Sequence, residues 1–155
     1  MNRVLVFFNP SYDPQGSGYQ LRQSLIAIGA GGIWGRGFGM SMQKFNYLPE
    51  PTTDSIFAVI AEEFGFLGAT ILIGMFLLFL WRGFWIAKRA PDNFSRLLGS
   101  GIVILIIVQS FVNMGALSGL LPLTGIPLVF ISQGGSSLAM ALAEVGVLLN
   151  ISKYI

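Results

Sequence analysis

The sequence predicts an all-α integral membrane protein, with about three transmembrane helices preceded by a large glycine-rich outer loop that carries short amphipathic helices. Three observations lead there. Hydrophobic residues make up 54% of the 155 and charged residues only 10%, where a soluble domain carries about 25% charged residues. The mean hydropathy is +0.72. Apolar stretches of membrane-crossing length alternate with short polar connections.

The first span centres on residues 64–81, "FGFLGATILIGMFLLFLW", 18 residues without a charge. That is about the minimum for crossing a bilayer. A Thr-Thr-Asp-Ser cluster upstream offers an N-cap near Thr53 or Asp54, which predicts a helix over about 54–84. The second span lies near 97–118, with Gln109 and Asn113 four residues apart on one face, a spacing suited to interhelical hydrogen bonds. The third lies near 137–151 and contains Glu144, which reads either as a functional intramembrane carboxylate or as a hydrogen-bonding group to a neighbouring helix. Between the last two, "SGLLPLTGIPLVFISQGGSS" combines two prolines with many small residues. It predicts a folded or re-entrant loop, tolerated at membrane depth only against protein or a water-filled cavity.

Residues 1–53 form the loop region and contain no run long enough to span. The opening apolar run ends at Asn9 and Pro10, short of the roughly 7–15 residues of a signal-peptide core. Further on, "YQLRQSLIAI" places Leu21, Leu25 and Ile28 at helical spacing, predicting an amphipathic helix at the membrane interface. Six glycines fall within residues 29–39. With no strand before them and no Gly-Lys-Ser/Thr after, they read as a flexible cover and not as a nucleotide cradle.

Orientation follows from the cations. Arg82, Lys88, Arg89 and Arg96 crowd the 82–96 linker, while 119–136 holds none. The positive-inside rule makes the linker cytoplasmic and turns 1–53 and 119–136 outward. The net charge of +2 and the pI of about 9.2 come from scattered cations, which suit membrane orientation and not nucleic acid. The sequence has neither cysteine nor histidine. Disulfides, thiolate chemistry, imidazole acid–base chemistry and zinc sites built on those residues are excluded.

Four of the seven acids, Glu50, Asp54, Glu62 and Glu63, gather between residues 47 and 64. Asp54 reads as a helix N-cap favoured by the helix dipole, or as a general base for the hydroxyl of a lipid-linked or secreted substrate. A helix end can serve both. Glu62 and Glu63 read as an interfacial pair facing water, or with one of them bonded to another helix. Lys44 reads as a solvated loop lysine or as a point charge for phosphate.

Four stretches carry a family resemblance: "FFNPSYDPQGSGYQLRQSLIAIGAGGIWGRGFG", "QKFNYLPEPTTDSIFAVIAEEFGFLG", "NMGALSGLLPLTGIPLVFISQGGSS" and "GVLLNIS". Together they resemble the carboxyl-terminal part of the SEDS family (shape, elongation, division and sporulation), nearest to its division branch. The resemblance implies a ten-helix fold of which this chain supplies the large outer loop and helices eight to ten, with about seven helices before Met1. It implies a peptidoglycan glycosyltransferase of the bacterial cytoplasmic membrane that polymerises lipid II, the undecaprenyl-pyrophosphate-linked disaccharide peptide. The implied partners are a class B penicillin-binding protein and other division proteins at the septum, and this portion alone is expected to be inactive.

The family's loop aspartate falls on Asp54, which the resemblance makes the base that takes the proton of the acceptor 4-hydroxyl. The leaving pyrophosphate calls for positive charge or a divalent cation such as Mg or Mn. Lys44, Arg36 and Arg22 lie nearest in sequence. Lys44, Glu50 and the turn of Ser132, Gly134, Gly135 and Ser136 are the substrate-cleft candidates. Gln133 stands where the family usually has an aromatic residue or histidine. Two other readings stand beside the enzyme: a lipid II flippase, and a non-catalytic membrane module that docks division proteins.

Overall fold

The computed structural model describes Phe7 and residues 16–41 and 53–155. Four helices organise it: α1 (Ser17–Gly31), α2 (Ile56–Arg89), α3 (Asn93–Leu117) and α4 (Gly135–Ser152). The last three are long and apolar enough to cross a membrane, in agreement with the three expected spans. At 1.5 Å per residue the 18 residues of α4 reach about 27 Å, close to the thickness of a bilayer core.

Helix α2 is the spine. Its N-terminal half packs with α1, α3 and the loop after α3 through Leu21, Phe57, Leu72, Phe76, Leu117 and Leu128. Its far half meets α3 and α4 through Ile86, Val103, Leu148 and Ile151. At Gly83 a side chain would run into Val103, so the missing Cβ sets how closely α2 and α3 approach.

Two boundaries and one helix face differ from expectation. Helix α2 begins at Ile56, after a turn over residues 53–55, with Ser55 at the cap position and no side-chain cap bond. Asp54 is therefore not the N-cap. At its other end α2 runs on to Arg89, so Arg82, Lys88 and Arg89 ride on the helix and only 90–92 form the turn. The guanidinium groups of Arg82 and Arg89 lie 4.3 Å and 3.9 Å from the centroid of the Trp85 ring. Such stacking lets cations extend a membrane helix into its interfacial zone. Helix α1 also turns differently. Gly18, Leu21, Ser24, Ala27 and Gly31 are its buried residues, while Leu25 is exposed. Small side chains form its packed face because α2 lies close against them.

The largest departure lies inside α2. Gly65 has φ 67° and ψ −163°, and the helical ladder breaks there. In an intact helix the N–H groups of Phe66 and Leu67 would donate to the carbonyls of Glu62 and Glu63. Instead Phe66 N–H donates to Gly32 O (2.8 Å) and Leu67 N–H to Ile33 O (3.2 Å). The two released carbonyls accept from Arg36 N–H and Gly37 N–H, each at 3.0 Å. The glycine-rich segment is thus no loose cover. Its backbone is spliced into the break in α2 and satisfies both freed pairs.

The segment also covers the two acids. Glu62 is 1% exposed, accepts a hydrogen bond from the Ser41 hydroxyl and pairs with Arg36 at 3.5 Å. Glu63 is buried as well, and its Oε1 has no hydrogen-bond partner among the described residues. The expected water-facing pair is a buried one, because the 32–41 segment folds over it.

Candidate functional site

The N-terminal end of α2 brings together groups distant in sequence. Asp54, half-buried, precedes the cap position by one residue. Gln20, on the second turn of α1, donates through Nε2 to Asp54 Oδ2 at 3.3 Å and to Ser55 Oγ at 3.0 Å. Thr53 Oγ1 lies 3.5 Å from Asp54 Oδ1, at the limit of hydrogen bonding. Behind the carboxylate, Asn113 Nδ2 donates to the main-chain carbonyl of Asp54 at 2.8 Å and to that of Ile126 at 2.6 Å. One amide therefore ties α3, the start of α2 and the loop after α3 into a single corner.

Asn113, expected to bond between helices, instead bonds main-chain carbonyls of a turn and a loop. Gln109 behaves alike, donating to Pro127 O at 3.3 Å. These bonds hold the non-helical 119–134 loop against α3, as expected of backbone folded back at membrane depth. Gln20 was not anticipated. It lies 34 residues from Asp54 and in no local motif.

A niche of about 10 Å³ beside Asp54 is lined by Gln20, Asn113, Leu123, Thr124 and Gly125. It has room for about one water and none for a sugar ring, so a saccharide must approach Asp54 from outside the niche. Asp54 forms no ion pair among the described residues. Its carboxylate is oriented by a neutral amide and keeps lone pairs to spare, as proton acceptance requires.

The other site candidates fall differently. Ser132 is buried, and its Oγ accepts from Leu128 N–H at 2.7 Å, closing the loop turn. Gly134 occupies the cap position of α4, and its carbonyl accepts from Ser137 Oγ at 2.9 Å. Gly135 and Ser136 are exposed on the first turn of α4. None of these four lines the Asp54 niche. Glu144 is half-exposed on α4 with no hydrogen-bonding partner among the described residues. Lys44 and Glu50 lie outside the described residues. Of the remaining cations, Arg36 is engaged by Glu62. Among the described residues no three His, Cys, Asp or Glu side chains come together to hold a metal.

Comparison with known proteins agrees with this geometry. The model of the cell cycle protein family FtsW/RodA/SpoVE matches residues 1–155. Stage V sporulation protein E of Bacillus subtilis (strain 168) is 51% identical over 154 residues, covering 99% of this chain and 42% of that protein. A probable peptidoglycan glycosyltransferase FtsW of Geobacter sp. (strain M18) is 48% identical over 152 residues, covering 98% of this chain and 41% of that one. Among solved structures, a peptidoglycan synthase complex that coordinates polymerization and crosslinking superposes with a TM-score of 0.78 at 33% identity, over 98% of this chain and 41% of the matched one. The chain thus spans about two fifths of the length of the relatives it matches. On the match along its whole length, with the helical fold and three spans to go with it, the chain belongs to the FtsW/RodA/SpoVE family of membrane proteins.

Proposed function

We propose that the chain is the Asp54-bearing portion of a peptidoglycan glycosyltransferase that polymerises lipid II at the outer face of the cytoplasmic membrane. The observation that carries this reading is the state of the Asp54 carboxylate. It is neither spent on capping α2 nor paired with a cation among the described residues, yet Gln20 donates to it and Asn113 holds the main-chain carbonyl of the same residue. A structural aspartate at a helix mouth would be expected to cap it. An oriented, uncommitted carboxylate at a membrane surface suits a base.

In the proposed step, Asp54 accepts the proton of the acceptor 4-hydroxyl as that oxygen bonds to the donor anomeric carbon. The bond from that carbon to the pyrophosphate oxygen breaks, inverting the centre, and undecaprenyl pyrophosphate carries away the electron pair. Positive charge for the leaving group comes from outside the Asp54 corner, with Lys44 or a divalent cation proposed for it. The remainder of the polypeptide and a class B penicillin-binding protein complete the machine, by analogy with the peptidoglycan synthase complex. We place its work at the septum, on the resemblance to the division branch. The near-equal identity to the sporulation relative, 51% against 48%, makes the depletion phenotype the test: undivided filaments for a septal role, rounded cells or failed sporulation for the others.

Asp54→Asn is the direct test of the chemistry. Asn keeps an oxygen for the Gln20 amide but takes no proton from a hydroxyl. In the full-length protein with its penicillin-binding partner, glycan synthesis from labelled lipid II should fall by about 10²-fold or more, with partner binding unchanged. Near-normal synthesis would remove Asp54 from the chemistry and return weight to the flippase and docking readings.

A further inference from the structure

At the end of the bundle opposite Asp54 lies the largest of the cavities described, a groove of about 520 Å³ between the last turns of α2 and the first turns of α3. Lys88 from α2 and Arg96 and Asn93 from α3 line it, together with the apolar Phe84 and Leu97. Neither cation forms an ion pair among the described residues. The nearest acid in sequence, Asp92, gives its two oxygens to the main-chain N–H and hydroxyl of Ser95, each at 2.8 Å. The Ser100 hydroxyl proton is likewise engaged, by the carbonyls of Arg96 and Leu97.

We propose that this groove is a binding site for an anionic phospholipid of the leaflet on the linker's side, which the positive-inside rule makes the cytoplasmic one. Lys88 and Arg96 clamp the headgroup phosphate from two helices, and Asn93 donates to a phosphate oxygen. The first acyl segments lie along Phe84 and Leu97, which are 41% and 74% exposed. Two cations without an ion pair among the described residues, an amide and apolar side chains, at the level where a transmembrane pair turns, match the chemistry of a lipid phosphate and its chain. A soluble phosphate would leave the apolar walls unused. Trp85, stacked between Arg82 and Arg89 on the next face of α2, anchors this end at headgroup depth.

The test uses the full-length protein, released from nanodiscs of equal phosphatidylglycerol and phosphatidylcholine into a native mass spectrometer. Phosphatidylglycerol should be retained in preference. Lys88→Gln and Arg96→Gln should each lower that preference about fivefold, and the double variant should abolish it. Arg82→Gln/Arg89→Gln removes the same charge from the same end but outside the groove, and should leave the preference in place. Equal retention of the two lipids would overturn the proposal, as would equal losses from the two double variants. Displacement of the retained lipid by millimolar inorganic phosphate would identify a soluble phosphate as the ligand and overturn it too.

Discussion

Asn113 on α3 donates to the main-chain carbonyl of Asp54, 59 residues away, at 2.8 Å, and with the same amide to Ile126 O at 2.6 Å. The carbonyl Asn113 holds belongs to the residue proposed as the base, so the second span acts directly on the geometry at the mouth of the first. Replacing the amide disturbs the site without touching its chemistry.

For Asn113→Leu we expect a folded protein destabilised by about 1–2 kcal/mol, the range for interhelical hydrogen bonds in membranes. Asn113→Asp should be worse, because a carboxylate oxygen would then face two carbonyl oxygens. Thermal unfolding in detergent orders the two variants. Glycan synthesis should fall with both, and full activity in Asn113→Asp would show that the corner does not position Asp54.

Gln20 tests positioning more selectively. Gln20→Leu removes the donor to Asp54 Oδ2 and Ser55 Oγ and leaves α1 packed through its other face. The expected result is a lower kcat with KM little changed. Gln20→Glu sets a like charge against Asp54 in place of the donor and should lower kcat at least as far. Normal kcat in both variants would mean that Gln20 serves only to pack α1.

Much of this architecture is legible in the sequence, and the reason is charge. The uncharged runs fix the three spans within a few residues, since ionised groups are excluded from hydrocarbon. Helix α2 outruns its expected end because Arg82 and Arg89 read as linker charges, and nothing local shows that Trp85 will stack them. Asp54 stands out as an acid at a helix mouth. Its holders do not, because Gln20 and Asn113 reach it across 34 and 59 residues, and a contact of that range leaves no periodicity. The glycine cluster and Gly65 were each visible alone. Their splice was not, because a glycine inside an apolar run reads as a tolerated helix residue, and Glu62 and Glu63 read as exposed until the covering segment is known.

Asp92 supplies a pH prediction. Donation from the Ser95 main-chain N–H, and secondarily from its hydroxyl, holds the Asp92 carboxyl below the usual carboxylate range. A carboxyl lowered by folding stabilises the fold at pH above its unfolded value, near 4, and that contribution disappears as pH falls through the lower folded value. Asn caps about as well but does not titrate. Between pH 6 and pH 3 the melting temperature of the natural protein should fall more steeply than that of Asp92→Asn. Parallel curves would show that Ser95 does not favour the ionised form. The residue is fully exposed, so the difference should shrink in high salt.

The splice between α2 and the glycine segment gives the sharpest structural contrast, because α2 offers two glycines of opposite character. At Gly65 the backbone lies at φ 67° and ψ −163°, a region populated essentially by glycine alone and costing other residues about 1–3 kcal/mol. A Cβ there would also press on the carbonyl of Ile33 and the N–H of Gly35, two points of the segment that bonds the break. Strain and clash act together, so Gly65→Ala should destabilise by about 3 kcal/mol or more. At Gly74 a Cβ meets nothing within 4 Å, and the gain in helix propensity should make Gly74→Ala neutral or slightly stabilising. Trypsin reads the splice independently, through the Arg36 peptide bond. In the natural protein Arg36 N–H is bonded to Glu62 O and its side chain to Glu62, so cleavage there should be slow. In Gly65→Ala the segment should detach, the Arg36 bond should cut many times faster, and Glu62 should lose its cover. Should Gly65→Ala match Gly74→Ala in both melting and trypsin resistance, the break in α2 would not be held by the glycine segment.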